Sequence, residues 1–144
     1  MEKSDQNQNK RHFLPSFSEL VDRLTVDQIK EVLLSDRSEE MSKEIHSICK
    51  DIDIMIEQKQ ISISSRFIRI IVIIAQMNVH IWYNKDKVKA EPEKYNEHLK
   101  LAHQLNGLRN QMKNLLLEES GERDKSSERT NFDTDGLEGW NISL

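Results

Sequence analysis

The sequence predicts an all-α fold, an antiparallel helical bundle of three long helices plus a short or broken N-terminal helix. Only 4 Gly and 2 Pro occur in 144 residues, and charged residues make up 32% of the chain. Few helix breakers and many charges are typical of long helices with solvated faces. Apolar residues also recur at helical spacing in four successive segments, which favours helices over strands throughout.

The chain divides into three parts by composition. Residues 1–14 are rich in polar side chains and are predicted to form a disordered N-terminal arm. Residues 15–117 hold the apolar periodicity and are predicted to form the helical bundle domain. Residues 118–144 are acidic and rich in Ser, Glu, Arg and Asp, which predicts a disordered tail, although this tail has an apolar end.

The first helix begins with a capping signal. Ser16 followed by Glu19 is the spacing of a capping box, in which two backbone N–H groups gain side-chain acceptors. The apolar spacing changes phase after Leu24, and Thr25 with Gln28 repeats the capping pattern. We therefore expect a break or bend near Thr25.

The second helix follows a turn at residues 35–38, with Ser38 as its expected cap. Its apolar residues lie at alternating spacings of 4 and 3, which favours bundle packing over a two-stranded coiled coil in so short a segment. The seam consists of Met41, Ile45, Ile48, Ile52 and Met55.

The third helix covers residues 64–87, with Ser64 or Ser65 as its expected cap, and is the most apolar part of the chain. A single polar line runs along it, formed by Arg66, Arg69, Gln76, His80, Tyr83 and Lys87. Because nearly all other positions through Trp82 are apolar, we expect this helix to lie in the middle of the bundle. A strand is disfavoured by the length of the run, and a membrane span by its charged and polar interruptions.

The fourth helix covers about residues 93–117, with Pro92 in its first turn, where proline is tolerated. Its apolar line is Leu101, Leu105, Leu108, Met112 and Leu115. Beside that line lie His103, Asn106, Arg109 and Asn110. Asparagine is a poor helix former, so these side chains must be retained for their hydrogen bonds.

Polar residues on the other helices could meet this face. They are Asp22 and Arg23 on the first helix and Trp82, Asn84 and Asp86 on the third. In one interpretation the set forms a pocket in which Arg109 binds a small anion and Trp82 stacks on a ring. In the other it is an inter-helix hydrogen-bond network in which Arg109 pairs with Asp22 or Asp86. The sequence leaves both interpretations open.

Motifs of catalysis and metal binding do not occur in the sequence. Cys49 is the single cysteine, His98 and His103 lie on different helix faces, and no Glu-x-x-His pair, glycine-rich phosphate loop or HExxH is found. We therefore expect no cofactor and no metal, and a non-catalytic accessory or interaction protein. The alternative is an enzyme or sensor that binds a small ligand of the phosphate or sugar-nucleotide type in the pocket around Arg109. One cysteine and a polar N-terminus favour the cytoplasm.

The charge distribution bears on partners. Residues 118–144 carry eight acidic and three basic side chains, a net charge of −5. Because the whole chain has a net charge of −4, residues 1–117 carry +1. A nearly neutral body predicts binding to neither nucleic acid nor a membrane. The tail ends with Trp140, Ile142 and Leu144, which are expected to dock on the bundle, to bind another chain, or to remain a free end. We expect a protein partner or a homo-oligomer.

Three segments carry a resemblance to a known family. They are SELVDRLTVDQIK at residues 18–30, WYNKDK at residues 82–87 and HQLNGLRNQMKN at residues 103–114. Together they resemble an uncharacterised family of small all-helical bacterial proteins, often seen among genes for cell-surface saccharide synthesis. The resemblance implies a helical bundle and a link to glycan assembly, but no activity. By match it points to Asp22, Arg23, Asn106, Arg109 and Asn110.

Overall fold

The computed structural model describes residues 15–122 and 142–144, and within them the chain forms an antiparallel bundle of α-helices with no strand. The helices are α1 (Phe17–Leu33), α2 (Ser38–Lys59), α3 (Ser65–Ala90) and α4 (Tyr95–Glu119). The predicted all-α bundle is confirmed. The predicted arm at residues 1–14 and residues 123–141 of the predicted tail lie outside the described residues.

The first helix is the short one, and it is continuous. Ser16 accepts a hydrogen bond from the backbone N–H of Glu19 at 3.2 Å, as the capping pattern predicts. The expected break near Thr25 is wrong, because α1 runs for 17 residues through that position. The Thr25 hydroxyl donates to the carbonyl oxygen of Asp22 at 2.7 Å and so binds the preceding turn instead of starting a new helix.

The other helix ends follow the predictions in part. Ser64 caps α3 by accepting from the N–H of Phe67 at 3.1 Å. Ser38 does not cap α2, since it is already the first helical residue and Arg37 occupies the cap position without a side-chain bond. A 3-10 turn at Pro92–Lys94 precedes α4, which continues two residues beyond its predicted end.

Helix α1 packs against all three other helices, while α3 and α4 form an antiparallel pair and α2 packs on α1. The heptad seam of α2 is used inside the chain, since Met41, Ile48 and Met55 are buried. On the other side of α1, the ring centroids of Phe17 and Phe67 lie 5.6 Å apart. Apolar side chains from every helix thus meet around α1.

One face of α3 differs from the sequence prediction. Ile70 and Ile74 are fully buried at 0% exposure, but Ile68 and Val72 are 53% and 58% exposed. The expected position in the middle of the bundle is therefore wrong for this face. The reason lies in the packing. Helix α2 covers α1, whereas α3 contacts α1 and α4, both of which lie on one side of it.

A carboxylate just beyond the C-terminal end of α4 binds the start of α1 and the end of α2. Gly121 adopts a φ of 76°, a conformation that glycine tolerates, and the chain turns there toward α1. Glu122 then accepts from the N–H of Phe17 at 2.8 Å and pairs with Lys59 at the end of α2. Because the N-terminus of a helix is positively polarised, this carboxylate stabilises α1.

The last three residues of the chain lie on the bundle itself. Ile142 packs against the core, and Arg69 binds the carbonyl oxygen and the hydroxyl of Ser143. Leu144 contributes to a small depression with Ser65, Arg66 and Arg69, and is 41% exposed. Trp140, the third residue of the predicted docking set, lies outside the described residues.

We predict that Ile74→Asp prevents folding. Placing a charge at a position with 0% exposure costs more than the roughly 5–15 kcal/mol by which a domain of this size is stable. Val72→Asp is the matched control, since it makes the same change two residues away at a side chain that is 58% exposed. Thermal unfolding followed by circular dichroism should show a cooperative transition for Val72→Asp and none for Ile74→Asp. A cooperative transition in both variants would contradict the packing of α3.

Candidate functional site

The Arg109 side chain lies between helices and is joined to α1 through Asn78. Arg109 Nη1 donates to Asn78 Oδ1 at 3.0 Å. Asn78 Nδ2 in turn donates to Asp22 Oδ1 at 2.8 Å and to the Thr25 hydroxyl at 2.7 Å. Asn78 is only 3% exposed, so these bonds are sheltered from water. Arg109 is therefore linked to Asp22 through an amide, whereas one of the two sequence interpretations expected a direct pair with Asp22 or Asp86.

A buried lysine completes this network. Lys113 Nζ lies 2.9 Å from Glu19 Oε1 and 3.3 Å from Asp22 Oδ2, and its side chain is 5% exposed. The Ser18 hydroxyl donates to the backbone carbonyl of Lys113 at 3.0 Å. One ammonium group thus pairs with two carboxylates of α1. We call Glu19, Asp22, Asn78, Arg109 and Lys113 the buried network, which joins α1, α3 and α4.

The remaining predicted site residues do not gather around Arg109 in one cavity. Asn84 is buried and donates to the carbonyl oxygen of His98 at 2.9 Å, near the loop between α3 and α4. Asn106 and His103 line a surface depression of about 490 Å³ that is formed by residues of α4 alone. Trp82 and Asn110 are half-buried, and Asp86 is exposed.

Asp22 and Arg23 lie instead at a cavity between α1 and α2. The cavity has a volume of about 530 Å³, within the range of small-molecule sites in proteins. Acidic and basic side chains share its wall with a few apolar ones. The lining residues are Pro15, Glu19, Asp22, Arg23, Val26, Asp27, Lys30, Arg37, Met41 and Glu44.

Asp27 is the buried acid of this cavity. It is 3% exposed, and its Oδ2 atom has no hydrogen-bond partner among the described residues. Burial raises the pKa of Asp27 from its ordinary value of 3.8 to about 6, and the hydrogen bond and charge of Glu44 act in the same direction. The positive charges of Lys30 and Arg23 oppose this rise. Asp27 and Glu44 therefore form a carboxyl pair across the cavity.

Asp27 is not among the predicted site residues, although the sequence contains a signal for it. Asp27 continues the spacing of 3 and 4 that begins with Phe17, Leu20 and Leu24, so it stands on an otherwise apolar line. An acid at such a position faces neighbouring helices and must either find a partner or become protonated. That line also predicts contact with α2, which supplies Glu44.

Among the described residues, no group of three or more His, Cys, Asp or Glu side chains is placed to hold a metal ion. In the same part of the chain, no helix is long and apolar enough to cross a membrane. No protein-family model matches the chain, and no curated protein or solved structure matches it either.

We predict that Asp27→Asn stabilises the protein above pH 6 and has little effect below pH 4. The folded-state pKa of Asp27 is raised, so the folded chain holds its proton longer than the unfolded chain, and stability falls as pH rises from 3.8 to about 6. Asparagine avoids this loss. A pKa of about 6 instead of 3.8 corresponds to about 3 kcal/mol above pH 7.

Urea unfolding of both proteins at pH 4 and pH 8 measures this difference. Asp51→Asn, at an exposed acid of α2, is the control with the same loss of charge. A gap between Asp27→Asn and wild type that stays constant with pH would contradict the assignment of the buried acid.

We also predict that Lys113→Met destabilises the protein by about 3 kcal/mol, because two carboxylates of α1 lose their partner. Lys43→Met is the matched control. Its pairing with Glu39 at 3.8 Å joins side chains that are 79% and 91% exposed, and such surface pairs contribute about 0–1 kcal/mol. Equal free energies of unfolding for the two variants would show that the buried network does not hold the helices.

Proposed function

We propose that this protein is a non-catalytic interaction protein that pairs with a second copy of itself through the exposed face of α3. The observation that carries this proposal is a line of exposed apolar side chains. Ile68, Val72, Val79 and Tyr83 are 53%, 58%, 38% and 50% exposed, and they share one face of a single helix. With Ala75 between them, we call these residues the α3 stripe.

Contiguous apolar surface of this kind is typical of interaction sites. An isolated exposed apolar residue needs no explanation, but a line of them spanning several turns of a helix does. The opposite face of α3 is filled by the core, with Phe67, Ile70 and Ile74 at 1% exposure or less. The helix is thus apolar on both sides, and the described part of the chain covers only one of them.

The spacing of the α3 stripe favours a second copy as the occupant. From Ile68 to Tyr83 the spacings are 4, 7 and 4, a pattern that is unchanged when the helix is reversed. A two-fold axis between Ala75 and Gln76 therefore brings Val72 of one copy against Val79 of the other and Ile68 against Tyr83. The small side chain of Ala75 at the crossing point lets the two helices approach closely.

The size of the face bears on the strength of pairing. Stable interfaces bury about 800 Å² on each partner, and a few half-exposed side chains on one helix fall short of that area. We therefore expect a dimer that forms at micromolar concentrations and dissociates on dilution.

The sequence features that first suggested association are used within one chain. The α2 seam is buried against α1, and Ile142 packs on the core. The proposal rests on the α3 stripe instead. From the sequence resemblance described above, we propose that this dimer is an accessory to surface-saccharide synthesis. The single cysteine favours the cytoplasm as its location.

We predict that Val72→Lys/Val79→Lys abolishes the dimer and that Val72→Lys/Val79→Glu restores it. In the antiparallel register residue 72 faces residue 79, so two lysines repel each other and a lysine with a glutamate attract each other. Sedimentation equilibrium from about 10 µM to about 1 mM monitors dissociation constants of this order. Val32→Lys is the control, since it changes a valine of α1 that is 69% exposed.

A wild-type protein that is monomeric over this range would overturn the proposal. So would a Val72→Lys/Val79→Lys variant that dimerises like wild type. Failure of the Lys/Glu pair to restore the dimer would rule out the antiparallel pairing.

A further inference from the structure

The cavity between α1 and α2 contains an acceptor that the described residues leave unused. Asp27 lines the cavity, is 3% exposed, and its Oδ2 atom has no partner among those residues. Leaving a buried polar atom without a partner destabilises the folded protein. Native proteins rarely carry that cost without a compensating role, and one such role is binding a ligand that supplies the donor.

A second carboxyl group lies beside the first. Glu44 lies on α2 and lines the same cavity as Asp27, and its proximity helps to raise the pKa of Asp27. Two neighbouring carboxyl groups repel each other when both are ionised, so they favour a positive group between them. A primary ammonium group carries three donors and can bind both carboxylates at once.

Positive side chains occupy the same cavity wall. Arg23 and Lys30 approach from α1, and Arg37 approaches from the turn before α2. Arg23 lies 3.9 Å from Glu44, at the edge of ion-pair distance, and its side chain is 61% exposed. These cations would repel a simple cation but would hold an anionic group on the same molecule.

We infer that this cavity binds a small amphoteric molecule that has a primary ammonium group and a phosphate or carboxylate group. Asp27 and Glu44 bind the ammonium group, and Arg23, Lys30 and Arg37 bind the anionic group. The volume of about 530 Å³ accommodates a molecule of this size. The site is separate from the α3 stripe and does not depend on the proposed dimer.

Binding at this site is coupled to the release of a proton from Asp27 at low pH. The ammonium group needs an ionised Asp27. The other charged groups that line the same cavity are Glu19, Asp22, Arg23 and Lys30 of α1, Arg37 of the turn before α2, and Glu44 of α2. Because the pKa of Asp27 in the free protein is about 6, a ligand must displace a proton at lower pH. The affinity should therefore be about tenfold weaker at pH 5 than at pH 7.

The test is an NMR titration of the full chain with 2-aminoethyl phosphate, following backbone amides at pH 7 and pH 5. Ethanolamine, inorganic phosphate and magnesium chloride are titrated separately. We expect saturable shifts at residues 23–30 and 37–44, with at least tenfold tighter binding of 2-aminoethyl phosphate than of either half. Asp27→Asn should lose at least tenfold in affinity, whereas Asp51→Asn should bind like wild type.

Several results would overturn the inference. They are the absence of saturable shifts at these amides, equal affinity of wild type and Asp27→Asn, phosphate alone binding as tightly as 2-aminoethyl phosphate, and magnesium producing the same shifts. The unfolding data for Asp27→Asn show whether a loss of binding comes from a loss of fold. The Val72→Lys/Val79→Lys variant should bind 2-aminoethyl phosphate like wild type, which separates this site from the dimer.

Discussion

The buried amide of Asn78 is the constraint on which the arrangement of α1, α3 and α4 depends. Asn78 is 3% exposed and occupies a helix face that is otherwise apolar, so both ends of its amide need partners within the protein. Arg109 supplies the donor, and Asp22 and Thr25 supply the acceptors. Apolar side chains pack acceptably in several registers, whereas a shift of any of these three helices by one residue would leave the amide unpaired. The network therefore selects one register among those that the core allows.

This network also determines which charged side chains remain available to bind a ligand. Arg109 and Lys113 are two cations of α4, and both bind groups of α1 or α3. Their capacity to bind an external anion is thereby reduced. On the opposite side of α1, the contact with α2 is made by a narrow apolar seam, and the acids and bases beside that seam are only partly matched. A cavity with mixed charge forms there, because long charged side chains cannot pack as closely as Met41 or Ile48.

Local signals predicted most of the fold, since helix starts and apolar faces depend on neighbouring residues. Ser16 and Ser64 cap their helices as their sequence context predicts. Thr25 was mispredicted because its hydroxyl can either cap a helix or bind the preceding turn, and Asn78 on a distant helix favours the second. The exposure of Val72 could not be predicted, since periodicity identifies an apolar side chain but not whether a neighbour covers it. The partners of Arg109 could not be predicted for a related reason, because spacing places Asn78 on an apolar helix face but does not show which side chains of other helices meet it.

Asp22 and Asp27 show how position on one helix separates a structural acid from a binding acid. Both line the same cavity and both lie on α1, five residues apart. The two oxygens of Asp22 are engaged, one by Asn78 and the other by Lys113, so its charge is balanced without a ligand. Asp27 lies one turn and a half further along, beyond the reach of α4's lysine, and faces another acid. The same residue type therefore stabilises the bundle at one position and retains unused binding capacity at the other, and an occupant of the cavity can bind Asp27 without disturbing the register that Asp22 maintains.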